Sequence, residues 1–289
     1  MAEFVLSAFA DEAAAGLEEQ ISALTGEGIT RIELRNIDGK SCADLTPAEA
    51  DQIRSRLGDH GICVSSLGSP YGKMPVNAPF EAHLDLFRRG LDLCSRLGCN
   101  RIRMFSFYMP EGENPGDWKN CVFDRLEKML LFAEEAGILL VHENEKGIYG
   151  DTEDRCLELM KRFSPRMGFV FDPANFIQCG VRTLNAFDQL ESYITYMHIK
   201  DALLADGAVV AAGHGDGCVP EILSRLNRDR NGEVVLTVEP HLKVFPGLRE
   251  LQSEELVHHE SYPDSMTAFH AACTALKQIL LRIREAEKQ

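Results

Sequence analysis

The chain repeats one pattern eight times: an amphipathic stretch, then a short apolar run rich in β-branched residues. This repetition limits the fold more than any single motif. At four junctions, "GEGITRIEL", "DHGICVSSL", "RLGCNRIRM" and "EAGILLVHE", a Gly separates the two halves. Gly just past a helix end enters the left-handed region without steric cost, so it marks where a helix stops. The apolar runs read as buried parallel strands. They are "FVLSAFA" (4–10), "RIELR" (31–35), "ICVSSLG" (62–68), "RIRMFSFY" (101–108), "LLVHEN" (139–144), "GFVFDP" (168–173), "YMHIKDA" (196–202) and "VVLTVEPH" (234–241).

Helices are expected between them. Thr46, Pro47 and Glu49 form a capping box with Pro at the first helical position. Leu84, Phe87, Leu91 and Cys94 make one apolar stripe, and Val122, Leu126, Met129 and Ala133 make another. A final helix starts near Ser265, with Met266, Phe269, Cys273, Leu276, Leu280 and Ile283 on its buried side. Eight strands alternating with eight helices predict an α/β fold, a (β/α)8 TIM barrel forming one domain over residues 1–289. A doubly wound open sheet is the competing architecture. It is disfavoured because no Gly-rich phosphate loop follows any strand. The long connection over 242–264 is expected to lie across the barrel mouth.

In such a barrel the chemistry sits at the C-terminal ends of the strands. The four later strands end in Glu143, Asp172, His198 and Glu239. Side chains alternate along a strand. Glu143 therefore shares a face with Val141, Asp172 with Val170, His198 with Tyr196, and Glu239 with Thr237. On the last strand Val234, Leu236 and Val238 form the opposite, helix-facing set. By parity all four ionisable groups point into the mouth. Three carboxylates crowded there raise one another's pKa unless a counter-charge is present. A mixed N/O donor set suits one divalent ion, Mn²⁺, Mg²⁺, Co²⁺ or Zn²⁺.

The stretches "HENE", "FDPAN", "HIKD" and "VEPH", in that order on strands five to eight, resemble the sugar isomerase/epimerase superfamily, the xylose-isomerase-like barrels. The resemblance spans essentially the whole chain. It implies that Glu143, Asp172, His198 and Glu239 are metal ligands and that Glu143 and Glu239 also transfer the proton. The chemistry implied is isomerisation or epimerisation of a sugar or sugar phosphate through a metal-stabilised cis-enediolate, with two carboxylates as base and acid. Asn175 stands where many members of the group have His, and Glu145 where they often have His.

Other polar residues can serve the same site. Lys200 and His241, each two residues past a proposed ligand, can contact substrate oxygens or a phosphate, or lie solvated on the rim. Glu145, Asn175 and Arg103 complete the substrate-binding candidates; Arg103 interrupts an apolar strand and needs a carboxylate partner. Glu33 and Arg35 end the second strand as an ion pair or as substrate contacts. Asp201 is expected to orient a neighbouring loop, and "GHGDG" (213–217) to be a flexible loop with amides able to cradle an anion. "HHE" (258–260) offers ligands for a second metal, and Trp118 and Tyr108 can shape the pocket. In the polar cluster at the end of strand five, His142 has the wrong parity and reads as structural, Asn144 holds the strand end, and Glu145 and Lys146 lie just beyond.

Charge narrows the partners. A net charge of −15 opposes general nucleic-acid binding. The first residues lack a basic region, and no apolar run is long enough to span a membrane. Nine scattered cysteines without a C-x-x-C pair read as buried thiols of a cytoplasmic protein. The partner expected is a small-molecule carbohydrate, with no nucleic acid and no membrane; association into homo-oligomers is left open.

Three rival functions use the same barrel. An endonuclease acting at abasic DNA sites, from the same superfamily, needs extra histidines that the third, fourth and sixth strands do not carry. A metal-dependent dehydratase of a keto-inositol or related polyol uses the same four ligands and remains the alternative. A non-catalytic sugar-binding barrel would normally have lost a ligand, and all four are present.

Overall fold

The computed structural model describes residues 1–245 and 257–287. Eight strands close into a parallel barrel: β1 (Ala2–Ala8), β2 (Arg31–Leu34), β3 (Cys63–Gly68), β4 (Arg101–Met104), β5 (Leu139–Glu143), β6 (Met167–Phe171), β7 (Ile194–Ile199) and β8 (Gly232–Val238). Closure comes from β1 pairing with β8 in register from Ala2↔Gly232 to Ala8↔Val238. The helices are α1 (Leu17–Gly26), α2 (Pro47–Asp59), α3 (Glu81–Arg96), α4 (Pro115–Glu135), α5 (Glu153–Phe163), α6 (Pro173–Gln178), α7 (Thr183–Leu190), α8 (Val219–Asp229) and α9 (Ser265–Ala286). The fold is the TIM barrel that the repetition predicts.

Local signals behave as expected. Gly28, Gly61, Gly98 and Gly137, which end the four helical stretches, all take positive φ between 65° and 73°. Thr46 caps α2 reciprocally with Glu49: its hydroxyl accepts from the Glu49 amide at 3.2 Å and its own amide donates to the Glu49 carboxylate at 2.8 Å.

Parity along the strands divides the core into two. Val141, Val170, Tyr196 and Val235 meet inside the barrel. Val234, Leu236 and Val238 belong to the outer core shared with Leu223 of α8 and Phe269 of α9. Each such side chain stabilises the fold by roughly 1.5–3 kcal/mol relative to exposure. The inner set raises the four strand-end groups above it into the mouth.

Some boundaries differ from expectation. β4 stops at Met104, because Phe107 takes φ 68° and turns the chain so that Tyr108 bridges to Pro75 and Ile148. Beyond β7, Asp201–Ala202 leaves the barrel to pair antiparallel with Val209–Val210. The crossover from β6 to β7 holds two helices, α6 and α7, rather than one. Met266 is 41% exposed, off the buried face of α9. Of the connection 242–264, residues 246–256 lie outside the described residues. Among the described residues no helix is long and apolar enough to cross a membrane.

Candidate metal centre

Four adjacent strands, β5 to β8, deliver Glu143, Asp172, His198 and Glu239 to one point. One ligand atom from each lies within 4.8 Å of the others, and all four residues are buried. Glu143 ends β5, and His198 is the penultimate residue of β7. Asp172 is the N-cap of α6 and accepts the Asn175 amide at 2.9 Å. Glu239 follows β8 directly and is tied to β7 by its amide, which donates to the Ile199 carbonyl at 3.2 Å.

His198 sits among the carboxylates. Its Nδ1 is 2.9 Å from Glu143 Oε1 and 3.3 Å from Glu239 Oε2, and its Nε2 is 3.2 Å from Glu33 Oε2. Burial pulls its pKa down, but Glu143 and Glu33 outweigh burial and hold it well above the ordinary histidine range. Burial lifts Asp172 to about 7, with Lys200 opposing and Glu239 and Glu143 adding to the rise. Glu239 is held well below the usual carboxylate range, because Lys200 and His241 overcome its burial.

Cations inside the mouth take part of this charge. Lys200 Nζ bridges Asp172 Oδ2 at 3.1 Å and Glu239 Oε2 at 3.3 Å. Arg103 Nε approaches Glu143 Oε2 at 3.2 Å while its Nη1 donates to the Ser69 carbonyl at 2.9 Å, so the carboxylate partner it needed is present. Arg35 binds Asp11, Glu12 and Glu239 together, with its guanidinium 4.2 Å above the Phe9 ring.

The balance leaves room for a metal. Among the described residues of the mouth, Asp11, Glu12, Glu33, Glu143, Asp172 and Glu239 are buried against the permanent cations Arg35, Arg103 and Lys200. Burial lifts Glu12 to about 8 against the pull of Arg35. Six carboxylates against three permanent cations leave an excess of negative charge that a divalent cation would reduce. Asp172 Oδ2 is buried and, beyond its ion pair with Lys200, has no hydrogen-bond partner. The donors therefore fit a divalent ion held by three carboxylates and one imidazole. A second group, Glu12, Glu239 and His241, also converges, but the Arg35 guanidinium already bridges both of its carboxylates.

The five substrate-contact candidates share a cleft of about 330 Å³ with Lys73 and Phe105. Lys200 and His241 are 6% and 5% exposed, so they are part of the floor and not solvated rim residues. Asn175 Nδ2 donates to Glu143 Oε1 at 3.2 Å and to the Asn144 carbonyl at 2.9 Å. Glu145 pairs with Lys73 at 2.8 Å. Asn144 holds the end of β5 to Asp172 through two 2.9 Å hydrogen bonds. His142 faces away, against Ser106 at 2.9 Å and stacked on Phe169.

Several candidates lie elsewhere. The amides of Gly213, Gly215 and Gly217 do cradle an anion, but it is the carboxylate of Asp201, at 2.8, 3.1 and 2.8 Å. His258 meets the His241 carbonyl, and His259 pairs with Asp206. Neither belongs to a metal-competent cluster among the described residues. Trp118 bonds Glu113 on α4's approach and does not line the cleft.

The sequence reading missed Asp11, Glu12, Lys73 and Phe105. The first two lie in a 3-10 turn just past β1, where strand parity does not apply.

The family described as xylose isomerase-like TIM barrel matches residues 26–258. The chain belongs to that family. Solved xylose isomerase-like barrels superpose along their full length. An L-ribulose 3-epimerase shares 18% identity with a TM-score of 0.73, covering 100% of this chain and 97% of its own. The probable 3-DHS dehydratase AsbF of Bacillus anthracis shares 15% identity with a TM-score of 0.72, covering 96% and 99%. The IOLI protein, solved with a bound zinc atom, shares 16% identity with a TM-score of 0.72, covering 97% and 99%. No curated protein matches the chain.

Proposed function

We propose that this xylose isomerase-like barrel is a divalent-metal-dependent enzyme that isomerises or epimerises a sugar or sugar derivative. The observation that carries the reading is the meeting of Glu143, Asp172 and Glu239 around His198 at the floor of a polar cleft. Glu143, Asp172, His198 and Glu239 would hold the ion. When bound, such an ion supplies Lewis-acid stabilisation for negative charge on neighbouring oxygens.

The chain's own residues handle the proton. Glu143 and Glu239 come from the two outer strands of the β5–β8 arc, so a substrate between them meets a carboxylate on either side. One, ionised, removes the proton beside the carbonyl, and the other, entering the cycle protonated, supplies a proton in its place. Lys200, 3.3 Å from Glu239, and Arg103, 3.2 Å from Glu143, hold the two carboxylates in place. Asn175 fixes the Glu143 carboxylate through its amide.

The ammonium of Lys200, 3.3 Å from Glu239, favours one second reading. Its positive charge would stabilise negative charge on a departing hydroxide, which would make the enzyme a dehydratase of a keto-polyol. Both readings share the ion.

Metal analysis of purified protein tests them together. About one divalent ion per chain is expected, lost in Glu239→Gln and in His198→Ala. Unchanged metal content in both variants would overturn the site.

A further inference from the structure

Beneath the cleft lies a carboxylate that the proposed proton transfer does not use. Glu33, on β2, is 0% exposed. Donors from strands on the far side of the barrel converge on it. The Tyr196 hydroxyl donates to Oε1 at 2.8 Å, and the Thr237 hydroxyl donates to Oε2 at 2.9 Å. His198 Nε2 is 3.2 Å from the same Oε2. Tyr196 stands two residues before His198 on β7, and Thr237 two residues before Glu239 beyond β8. β2 pairs with β1 and β3, not with either of these strands, so the carboxylate reaches across the interior.

An ionised carboxylate only accepts hydrogen bonds. Both ring nitrogens face carboxylates, but only Nδ1 faces the four-ligand cluster, so a cation held there would take the Nδ1 lone pair and leave the ring hydrogen on Nε2, against Glu33. Nδ1 is the atom that points at Glu143 and Glu239. We infer that Glu33 is the positioning residue of the metal centre: by accepting the His198 Nε2–H it fixes the ring orientation and tautomer that offer Nδ1 to a divalent cation. The two hydroxyls hold the Glu33 carboxylate in place. Phe9, edge-on to His198 with centroids 5.1 Å apart, closes another side of the ring. Carboxylate partners of ligating histidines tune metal sites, and their loss weakens metal affinity by about 10–100-fold. The inference rests on the metal-dependent reading proposed above.

The test uses the full chain with Zn²⁺ and Mn²⁺ as probes, in competition with a chelator, for wild type, Glu33→Gln and Glu33→Leu. The Gln variant keeps an acceptor oxygen and should bind metal several-fold more weakly. The Leu variant should lose about 10–100-fold. In ¹⁵N-histidine spectra of the zinc-loaded protein, the His198 signals, assigned by their absence in His198→Ala, should show Nε2 protonated in wild type and a mixture in the Leu variant. A role confined to packing would lower the melting temperature and leave affinity and ring signals alone; that result in folded Glu33→Leu overturns the inference. Should the Leu variant fail to fold, wild-type affinity and wild-type ring signals in Glu33→Gln overturn it equally. If His198→Ala and Glu239→Gln still bind the probes, the metal-dependent reading itself has failed. If they lose the probes while the Glu33 variants bind normally, only the role of Glu33 has.

Discussion

Replacing Lys200 with Met probes how the mouth is balanced. Lys200 Nζ lies 3.1 Å from Asp172 and 3.3 Å from Glu239, and the residue is 6% exposed. Met retains most of the stem volume and removes the charge. Removing one partner of a buried pair typically costs about 3–5 kcal/mol, because the remaining charge is left uncompensated. The carboxylates can recover part of this by taking up a proton, and Asp172 is already lifted to about 7 by its burial. The loss should therefore be near the lower figure, about 3 kcal/mol, at pH 8 in the presence of a chelator. The lysine is charged in both folded and unfolded states at that pH, below its ordinary value of about 10.4, so its contribution is fully present there. A divalent ion restores the missing cation: at about 100 times its dissociation constant it adds about 2.7 kcal/mol to the folded state. Urea denaturation followed by circular dichroism, with EDTA and then with Mn²⁺, measures both quantities. A Lys200→Met protein as stable as wild type in EDTA would refute this electrostatic account.

Three further outcomes follow from the same geometry. Asp201→Ala removes the acceptor for three glycine amides; it should cost about 3 kcal/mol and speed hydrogen exchange at Gly213, Gly215 and Gly217, and unchanged exchange there would count against the anchor. Burial depresses His142 to about 3, so the unfolded chain binds the extra proton between about pH 6.5 and that value. Its contribution is complete above that window and is lost as pH falls, by up to about tenfold in the folding equilibrium per pH unit; acid denaturation of His142→Gln should show a shallower slope, and an equal slope would contradict this. Gly90→Ala would drive a methyl into the Tyr71 hydroxyl, and overpacking of this kind should cost about 1–3 kcal/mol in denaturant titration.

The site was most legible where backbone geometry is most regular. Strand alternation put Val141, Val170 and Tyr196 under Glu143, Asp172 and His198, and it also removed His142, the residue that first attracts notice. Alternation fails where the chain leaves the strand. Asp11 and Glu12 fall in a 3-10 turn, Ala10–Glu12, after β1, and Lys73 lies in the connection beyond β3, so neither has a face to read. The run Phe105–Tyr108 is apolar and aromatic, yet the left-handed Phe107 ends the ladder before it. Asp201 was readable as the residue that orients a neighbouring loop and the amides of "GHGDG" as an anion cradle; that the two meet needed the fold. Glu33 was readable as an inward group; its partners Tyr196, His198 and Thr237 come from across the barrel, where sequence distance carries no signal.

Proton transfer at the carbon beside a carbonyl is the central claim, and turnover in deuterated water tests it most directly. Metal-loaded protein would be incubated with a panel of ketoses and aldoses, and the products analysed by NMR and mass spectrometry. The account predicts solvent deuterium at the carbon adjacent to the carbonyl of the isomerised sugar, with both conversion and exchange abolished in Glu143→Gln and Glu239→Gln. Conversion of a sugar with no deuterium at that carbon, or exchange that persists in both variants, would contradict it.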